Sequence, residues 1–452
     1  MPAPDANAML AMQFQLRQSQ WLSPEELLKR QLIQLSPLYN HAYNTMGIYA
    51  SKYRDVGLNR AHSTLSIDEW REIPIITRSE IQQAGEHFIS NSIPRAHGPV
   101  ETMKTSGSTG KPIVIYNTAI VKFFWNVFTL RDHLWHKRDF GKKLGIIRWI
   151  VSKDEARAPD GLHLPGWGES TDVAYQTGPS SVLSLRSSLE EQYRWLKREN
   201  PGYLLTYATN ALELAKYFKE RGETLSKLKQ VRTLSEAFGP DLRASCADAW
   251  QASVVDMYTA RETGYLALQC PDHEHYHAQS ENVLIEILDD EGKPCEPGQV
   301  GRVVISTLHN WASPLLRYEI GDYAELGEPC SCGRGLPVIR QIKGRVRNML
   351  ILPNGQKFWP VMGSSKYSNI APIKQLQFIQ RVVDRLEIRM VLEREMIPDE
   401  KRALTLAIQE SMGHPFELDY IICDEIGRGA SGKYEEFLSE LNNASAGQDS
   451  TI

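Results

Sequence analysis

Residues 105–112 read Thr-Ser-Gly-Ser-Thr-Gly-Lys-Pro, placing four hydroxyl side chains, two glycines and a lysine within eight positions. Glycine admits backbone turns closed to other residues and lets the chain approach a ligand closely. Successive free N–H groups in such a turn form a concave nest for anions. Thr105, Ser106, Ser108 and Thr109 add hydroxyl donors around Gly107 and Gly110, and Lys111 adds a positive charge on a flexible stem. That equipment suits a polyphosphate, although a lone Gly/Ser stretch also suits a surface turn. The stretch is not a Walker loop: its glycines are too close, and Pro112 stands where a Mg²⁺-binding Ser or Thr belongs. Ile113-Val-Ile-Tyr116 is apolar and β-branched, so a strand, not a helix, is expected after the loop.

The chain around this stretch has 452 residues, enough for two or three domains. Charged residues make up 23 % with a net charge of -4, and 42 % are hydrophobic, a balance with no lean toward nucleic acid or an anionic membrane. The first residues lack a cationic start followed by an apolar core, so no secretory signal is expected. No run approaches the roughly 18 apolar residues that span a bilayer. The expectation is a cytoplasmic protein. Six cysteines in a chain of this length do not make a disulfide framework.

Residues 1–90 read as helical, with Ser23-Pro24 opening one helix over Gln20–Leu35 and Thr77 with Glu80 forming a capping pair for another. Ala119–Trp135 reads as an apolar-aromatic helix. Strands at Leu144–Val151, Tyr203–Tyr207, Val231–Leu234 and Ser253–Met257 alternate with helices at Ser188–Glu199 and Ala211–Glu220. Such alternation predicts an α/β fold with a mainly parallel sheet. From about residue 270 to 343 short strands and Gly/Pro turns predict a β-rich subdomain. Beyond it lies a small α+β pattern with strands near Gln375–Val382 and Arg385–Leu392 and a helix at Asp399–Ser411. The expected division is a large N-terminal domain over 1–346 and a small mobile domain over 347–452, with a disordered tail from Asn443.

Four further stretches follow the loop in order: Asp256-Met-Tyr-Thr-Ala-Arg-Glu262, Leu316-Arg-Tyr-Glu-Ile-Gly-Asp322, Lys343-Gly-Arg-Val-Arg-Asn348 and Ser431-Gly-Lys433. With the loop at 105–112, the sequence resembles the AMP-forming acyl-adenylating superfamily, specifically its phenylacetate–CoA ligase-like branch, over roughly residues 70–440. Each stretch alone is weak; five in this order are specific. The resemblance implies activation of an organic acid by ATP and Mg²⁺ as its adenylate. Thr105–Lys111 would hold the β- and γ-phosphates, and Ser235, Glu236 and Ala237 would lie along the adenine. Tyr258 would stack on the base, Glu262 would hold Mg²⁺, and Asp322 would accept both ribose hydroxyls. Arg345 would contact ribose or phosphate at a hinge, and Lys433 would bridge the acid carboxylate and the α-phosphate. Lys433, Glu262 and Lys111 are thus the expected catalytic set.

The chain departs from the family pattern in two places. Thr259 and Arg261 stand where Gly and Thr are usual, and Arg347 and Asn348 stand where acidic hinge residues are usual. Arg261 is a candidate partner for Glu262 or for a substrate anion, and an altered hinge favours an acceptor other than CoA. Transfer to coenzyme A is the leading expectation, with an amine, a carrier protein or another small nucleophile as alternative acceptors. A non-catalytic nucleotide-binding protein is the alternative from another class, and the intact Lys111, Glu262, Asp322 and Lys433 speak against it. Trp125, Tyr203, Tyr207 and Phe238 suggest an aromatic acid, and the resemblance allows pairing of two copies through an N-terminal surface.

Cys270-Pro-Asp-His273 has the spacing of a metal knuckle, His275 and His277 follow, and Cys330-Ser-Cys332 comes about sixty residues later. Thiolates and imidazoles in sets of four are what structural zinc takes; unrelated reduced thiols are the other reading. The pair of motifs also resembles a structural zinc site of these ligase-like proteins. It would use Cys270, Cys330 and Cys332 with either His273 or His277. Cys246, Cys295 and Cys423 are expected bystanders, and the lone His309 a structural residue.

Overall fold

The computed structural model describes residues 4–54, 56, 64–104, 112–150, 156–236, 239, 241–360, 367–428 and 433–441. The chain is α/β and divides by its contacts into two compact units. Thr105–Lys111, Ala237, Phe238, Ser431 and Gly432 fall outside the described residues, as does the tail from 442.

The first unit comprises 1–144, 163–181 and 255–342. Its N-terminal helices start where the capping chemistry places them. Ser23 accepts from the Glu26 amide ahead of Pro24, and Thr77 and Glu80 cap reciprocally. The helix opened by Ser23 runs over Pro24–Thr45, ten residues past the expected end and through Pro37. Packing explains the excess: Leu32, Leu35, Leu38, Tyr39 and Ala42 form one buried stripe, and that burial outweighs the lost backbone bond. The stripe packs in one core with Val283, Ile287, Val303, Ile305 and Tyr318 of an antiparallel sheet. Strand order in this sheet is Val283–Leu288, Val300–Thr307, Tyr318–Leu326, Val338–Arg345, Tyr276–Ala278, Gly264–Gln269, then Ser253–Ala260 from Val255 onward. The expected strand after the glycine-rich loop is Val114–Thr118, paired antiparallel with Val100–Lys104, and it feeds the helix Ala119–Trp135.

The second unit comprises 145–162, 182–254 and 343–452. Strands Gln230–Leu234 and Tyr203–Thr206 run parallel, next to strand Leu144–Arg148 from Gly145 onward and strand Ser180–Ser184 from Val182 onward. Helices Leu189–Glu199, Ala208–Glu220 and Leu242–Trp250 supply the apolar cover. In the same unit a four-stranded sheet has the order Glu417–Ile422, Arg385–Leu392, Ile373–Val382, Phe437–Ser439. Its core receives Leu404, Ile408 and Met412 from helix Pro398–Met412. The chain enters this last segment between Ile342 and Lys343. Among the described residues no helix is long and apolar enough to cross a membrane.

Candidate functional site

In the first unit, strand Ser253–Ala260 presents Tyr258, and strand Tyr318–Leu326 presents Asp322 immediately after Gly321 at φ +86°. The buried Tyr258 hydroxyl donates to Asp322 Oδ2 at 2.8 Å. A carboxylate held by a buried phenol keeps its direction, which a group that must accept from two neighbouring hydroxyls requires.

Glu262 is buried at 5 % exposure, so its charge needs a counter-charge. Arg78, in the helix opened by Thr77, provides it, with Nη1 3.5 Å from Oε1. The expected partner Arg261 is exposed. Arg78 thus takes the position that sequence reasoning offered to Arg261. It is remote from Glu262 along the chain, and nothing in its local pattern marks it.

Glu262 also lines a narrow cavity of about 20 Å³ with Trp125, Thr263, Tyr265, Asn282 and His309. Gly264 in this lining has φ +82°, a backbone conformation that favours glycine, and it lies against the Trp125 ring. His309 stacks on Phe124 at 3.6 Å between centroids, and its Nε2 pairs with the Glu281 carbonyl at 2.8 Å. Burial pushes His309 down to about 4, so the ring is neutral at physiological pH. Tyr203 and Tyr207, expected with Trp125 around the acid, are buried in the second unit.

In the second unit Ser235 has φ +67°, and Glu236, at 2 % side-chain exposure, is surrounded by donors. Its Oε2 accepts from the Thr209 amide (2.9 Å) and Thr209 Oγ1 (2.7 Å), and its Oε1 from Arg428 Nη1 (3.2 Å) and the Tyr434 amide (2.9 Å). Lys433 is half-buried beside Tyr434. Arg345 donates its amide to Asn348 Oδ1 at 3.3 Å, and its carbonyl accepts from Trp359 Nε1 at 3.2 Å. The two departures at the expected hinge have partners far along the chain: Arg347 pairs with Glu435, and Asn348 Nδ2 donates to the Phe437 carbonyl at 2.7 Å. A basic residue at 347 is therefore matched by an acid at 435.

Burial pushes Glu436 up to about 7, reinforced by Glu236, Asp241 and Glu213 and opposed by Lys216. Because the folded value lies above the ordinary 4.5, this group's contribution is fully present below about pH 4.5 and is lost as pH rises toward 7. Glu436→Gln is expected to raise the melting temperature at pH 8 and leave it unchanged near pH 4.5. The difference corresponds to about 3 kcal/mol at about 1.36 kcal/mol per pKa unit. Thermal unfolding of both proteins at the two pH values measures it.

Cys270, His277, Cys330 and Cys332 bring their ligand atoms within 4.8 Å of one another. Cys270 Sγ and Cys330 Sγ are 3.9 Å apart, and Cys332 Sγ lies 3.4 Å from His277 Nε2. A tetrahedral ion with bonds of about 2.3 Å to sulfur separates two thiolates by about 3.8 Å, so the donor set fits zinc. His277 Nδ1 lies 3.2 Å from the Leu336 carbonyl, which turns Nε2 toward the sulfurs, and burial pushes the ring down to about 4. His273 is outside this group, with Nε2 3.0 Å from Ser331 Oγ. The choice that spacing left open between the two histidines falls to His277.

Residues 350–440 match the CapK C-terminal domain family. Over 347 residues the chain is 23 % identical to a phenylacetate–coenzyme A ligase of Thermus thermophilus, covering 73 % of each chain. The phenylacetate–coenzyme A ligase of Pseudomonas putida is 20 % identical over 397 residues, 82 % of this chain and 83 % of that one. The chain is thus similar to phenylacetate–coenzyme A ligases over most of its length. Its fold is that of 2-hydroxyisobutyryl-CoA ligase bound to an adenylate in the postadenylation state, with TM-score 0.71, 15 % identity and coverage of 95 % and 93 %. The anthranilate CoA ligase AuaEII bound to anthranoyl-AMP shares it at TM-score 0.54 and 16 % identity, over 76 % of this chain and 66 % of that one.

Proposed function

We propose that this chain activates an organic, aryl-type carboxylic acid with ATP as its acyl-adenylate and transfers the acyl group to coenzyme A. The observation that carries the reading is the Tyr258–Asp322 pair, an aromatic ring and a fixed carboxylate brought together from two separate strands, in a chain similar to acid–CoA ligases. Tyr258 stacks on the adenine and Asp322 accepts the ribose hydroxyls. Ser235 and Ala237 border the base, and Arg345 reaches ribose or phosphate. Thr105–Lys111 hold the β- and γ-phosphates.

Adenylation joins an acid carboxylate oxygen to the α-phosphorus and breaks the bond to the β-phosphate, releasing pyrophosphate. Two anions approach, so the Lys433 ammonium neutralises charge as the bond forms. Glu262 would hold Mg²⁺, which would supply further neutralisation of the phosphates; Arg78, 3.5 Å from that carboxylate, is the protein's competitor for it. The coenzyme A thiolate next attacks the acyl carbon and AMP leaves. ATP and coenzyme A as co-substrates imply a cytoplasmic setting. Cys270, His277, Cys330 and Cys332 would hold zinc, which would pin two loops and take no part in the reaction.

Pyrophosphate release from ATP and Mg²⁺ across a panel of aryl and short-chain acids tests this, with coenzyme A, amines and a carrier protein supplied separately. The expected result is acid-dependent release and a thioester only with coenzyme A. Product with an amine or carrier protein instead would replace the acceptor, and no release with any acid would leave a nucleotide-binding protein.

A further inference from the structure

Glu236 is expected, from its place in the sequence, to lie along the adenine. Its carboxylate is instead engaged by protein donors on both oxygens. One oxygen serves the N-terminus of helix Ala208–Glu220, where Tyr207 makes no side-chain cap and Thr209 contributes amide and hydroxyl. Anionic acceptors are favoured at such an end by its unpaired amides and by the helix dipole. The other oxygen serves the C-terminal segment through the Arg428 guanidinium and the Tyr434 amide. Arg428 Nη1 also donates to Thr209 Oγ1 at 3.0 Å, and Nη2 lies 3.6 Å from Glu213. A buried carboxylate with charge-assisted bonds to two chain segments is a rigid joint. Tyr434 is the residue next to Lys433.

We infer that Glu236 is a positioning residue: with Arg428 and Thr209 it clasps the segment that carries Lys433 and sets where that ammonium stands during adenylation. The inference rests on the adenylation reading for the role of Lys433, while the clasp itself rests on the contacts alone. Glu236 binds no nucleotide atom in this account. A misplacement of about 1 Å of a group acting in the transition state costs about 10²-fold in rate, so loosening the joint acts on turnover and leaves ATP affinity in place.

The test uses the full chain with Arg428→Gln, Arg428→Lys and Glu236→Gln. Amide hydrogen exchange follows Tyr434, with the helix Ala208–Glu220 as a check of folding. Acid-dependent pyrophosphate release gives kcat and the KM for ATP. The expected result is faster exchange at Tyr434 in Arg428→Gln and Glu236→Gln, and kcat lower by about 10- to 100-fold. The KM for ATP stays within about twofold, and Arg428→Lys recovers part of the loss. Unchanged exchange at Tyr434 overturns the clasp whatever the activity. Faster exchange with unchanged kcat overturns the positioning role. A raised KM for ATP at constant kcat returns Glu236 to the adenine. If the wild type releases no pyrophosphate with any acid, the adenylation reading fails, the positioning role falls with it, and exchange alone decides the clasp.

Discussion

Lys433→Ala is expected to lower acid-dependent pyrophosphate release by about 10²–10³-fold, the usual cost of removing one preorganised stabilising group from a charged transition state. The reaction brings an acid carboxylate onto a phosphate ester, and both are anionic. A group that neutralises them only as they meet contributes to the transition state and little to binding of either substrate. The loss is therefore expected in kcat, with the KM for ATP nearly unchanged. Thioester formation from a supplied acyl-adenylate and coenzyme A is expected to fall far less, because no phosphate is attacked in that step. Pyrophosphate release for the first half-reaction and thioester formation for the second, each measured with and without the mutation, check this. Release unaffected by the substitution would mean that another cation carries the charge.

The α/β alternation and the helix starts were legible in the sequence because they are local. Ser23 and Thr77 cap the helices that their spacing to Glu26 and Glu80 announces. The ordered motifs name Tyr258, Asp322 and Lys433 as the proposed site residues by the same kind of local reading. Partners across the fold were not legible. Glu262 is matched by Arg78, Glu236 by Arg428, and Arg347 by Glu435. In each pair the separation in sequence is long, and only the tertiary packing brings the charges together. Local propensity also gave too early an end to the Pro24–Thr45 helix, because Pro37 is a breaker by propensity and is overruled by a buried stripe.

The two histidines after Cys270 show the same limit, and the set that His277 completes carries the last expectation. Strand pairing places His277 opposite Val338, and its Nδ1 pairs with the Leu336 carbonyl, so the ring faces the loop of Cys330 and Cys332. Sequence spacing has no access to that direction. Purified protein is expected to hold one equivalent of zinc, and Cys332→Ser or His277→Ala is expected to lose it. Such a site draws its binding free energy into folding, because the unfolded chain has no preformed set of ligands. Losing a structural metal belongs to the small class of changes that cost about 4 kcal/mol or more. At about 2–4 °C per kcal/mol that is a drop of about 8–16 °C in melting temperature. His273→Ala and Cys423→Ser, both outside the set, are expected to keep the metal. Metal content and thermal unfolding with and without a chelator read the outcome. A protein that carries no zinc and melts at the same temperature in chelator would leave the three thiols as ordinary reduced cysteines. Loss of zinc on His273→Ala alone would move the fourth ligand to that residue. None of the four ligands is among the residues assigned to ATP or the acid, so pyrophosphate release below the lowered melting temperature is expected to follow the folded fraction.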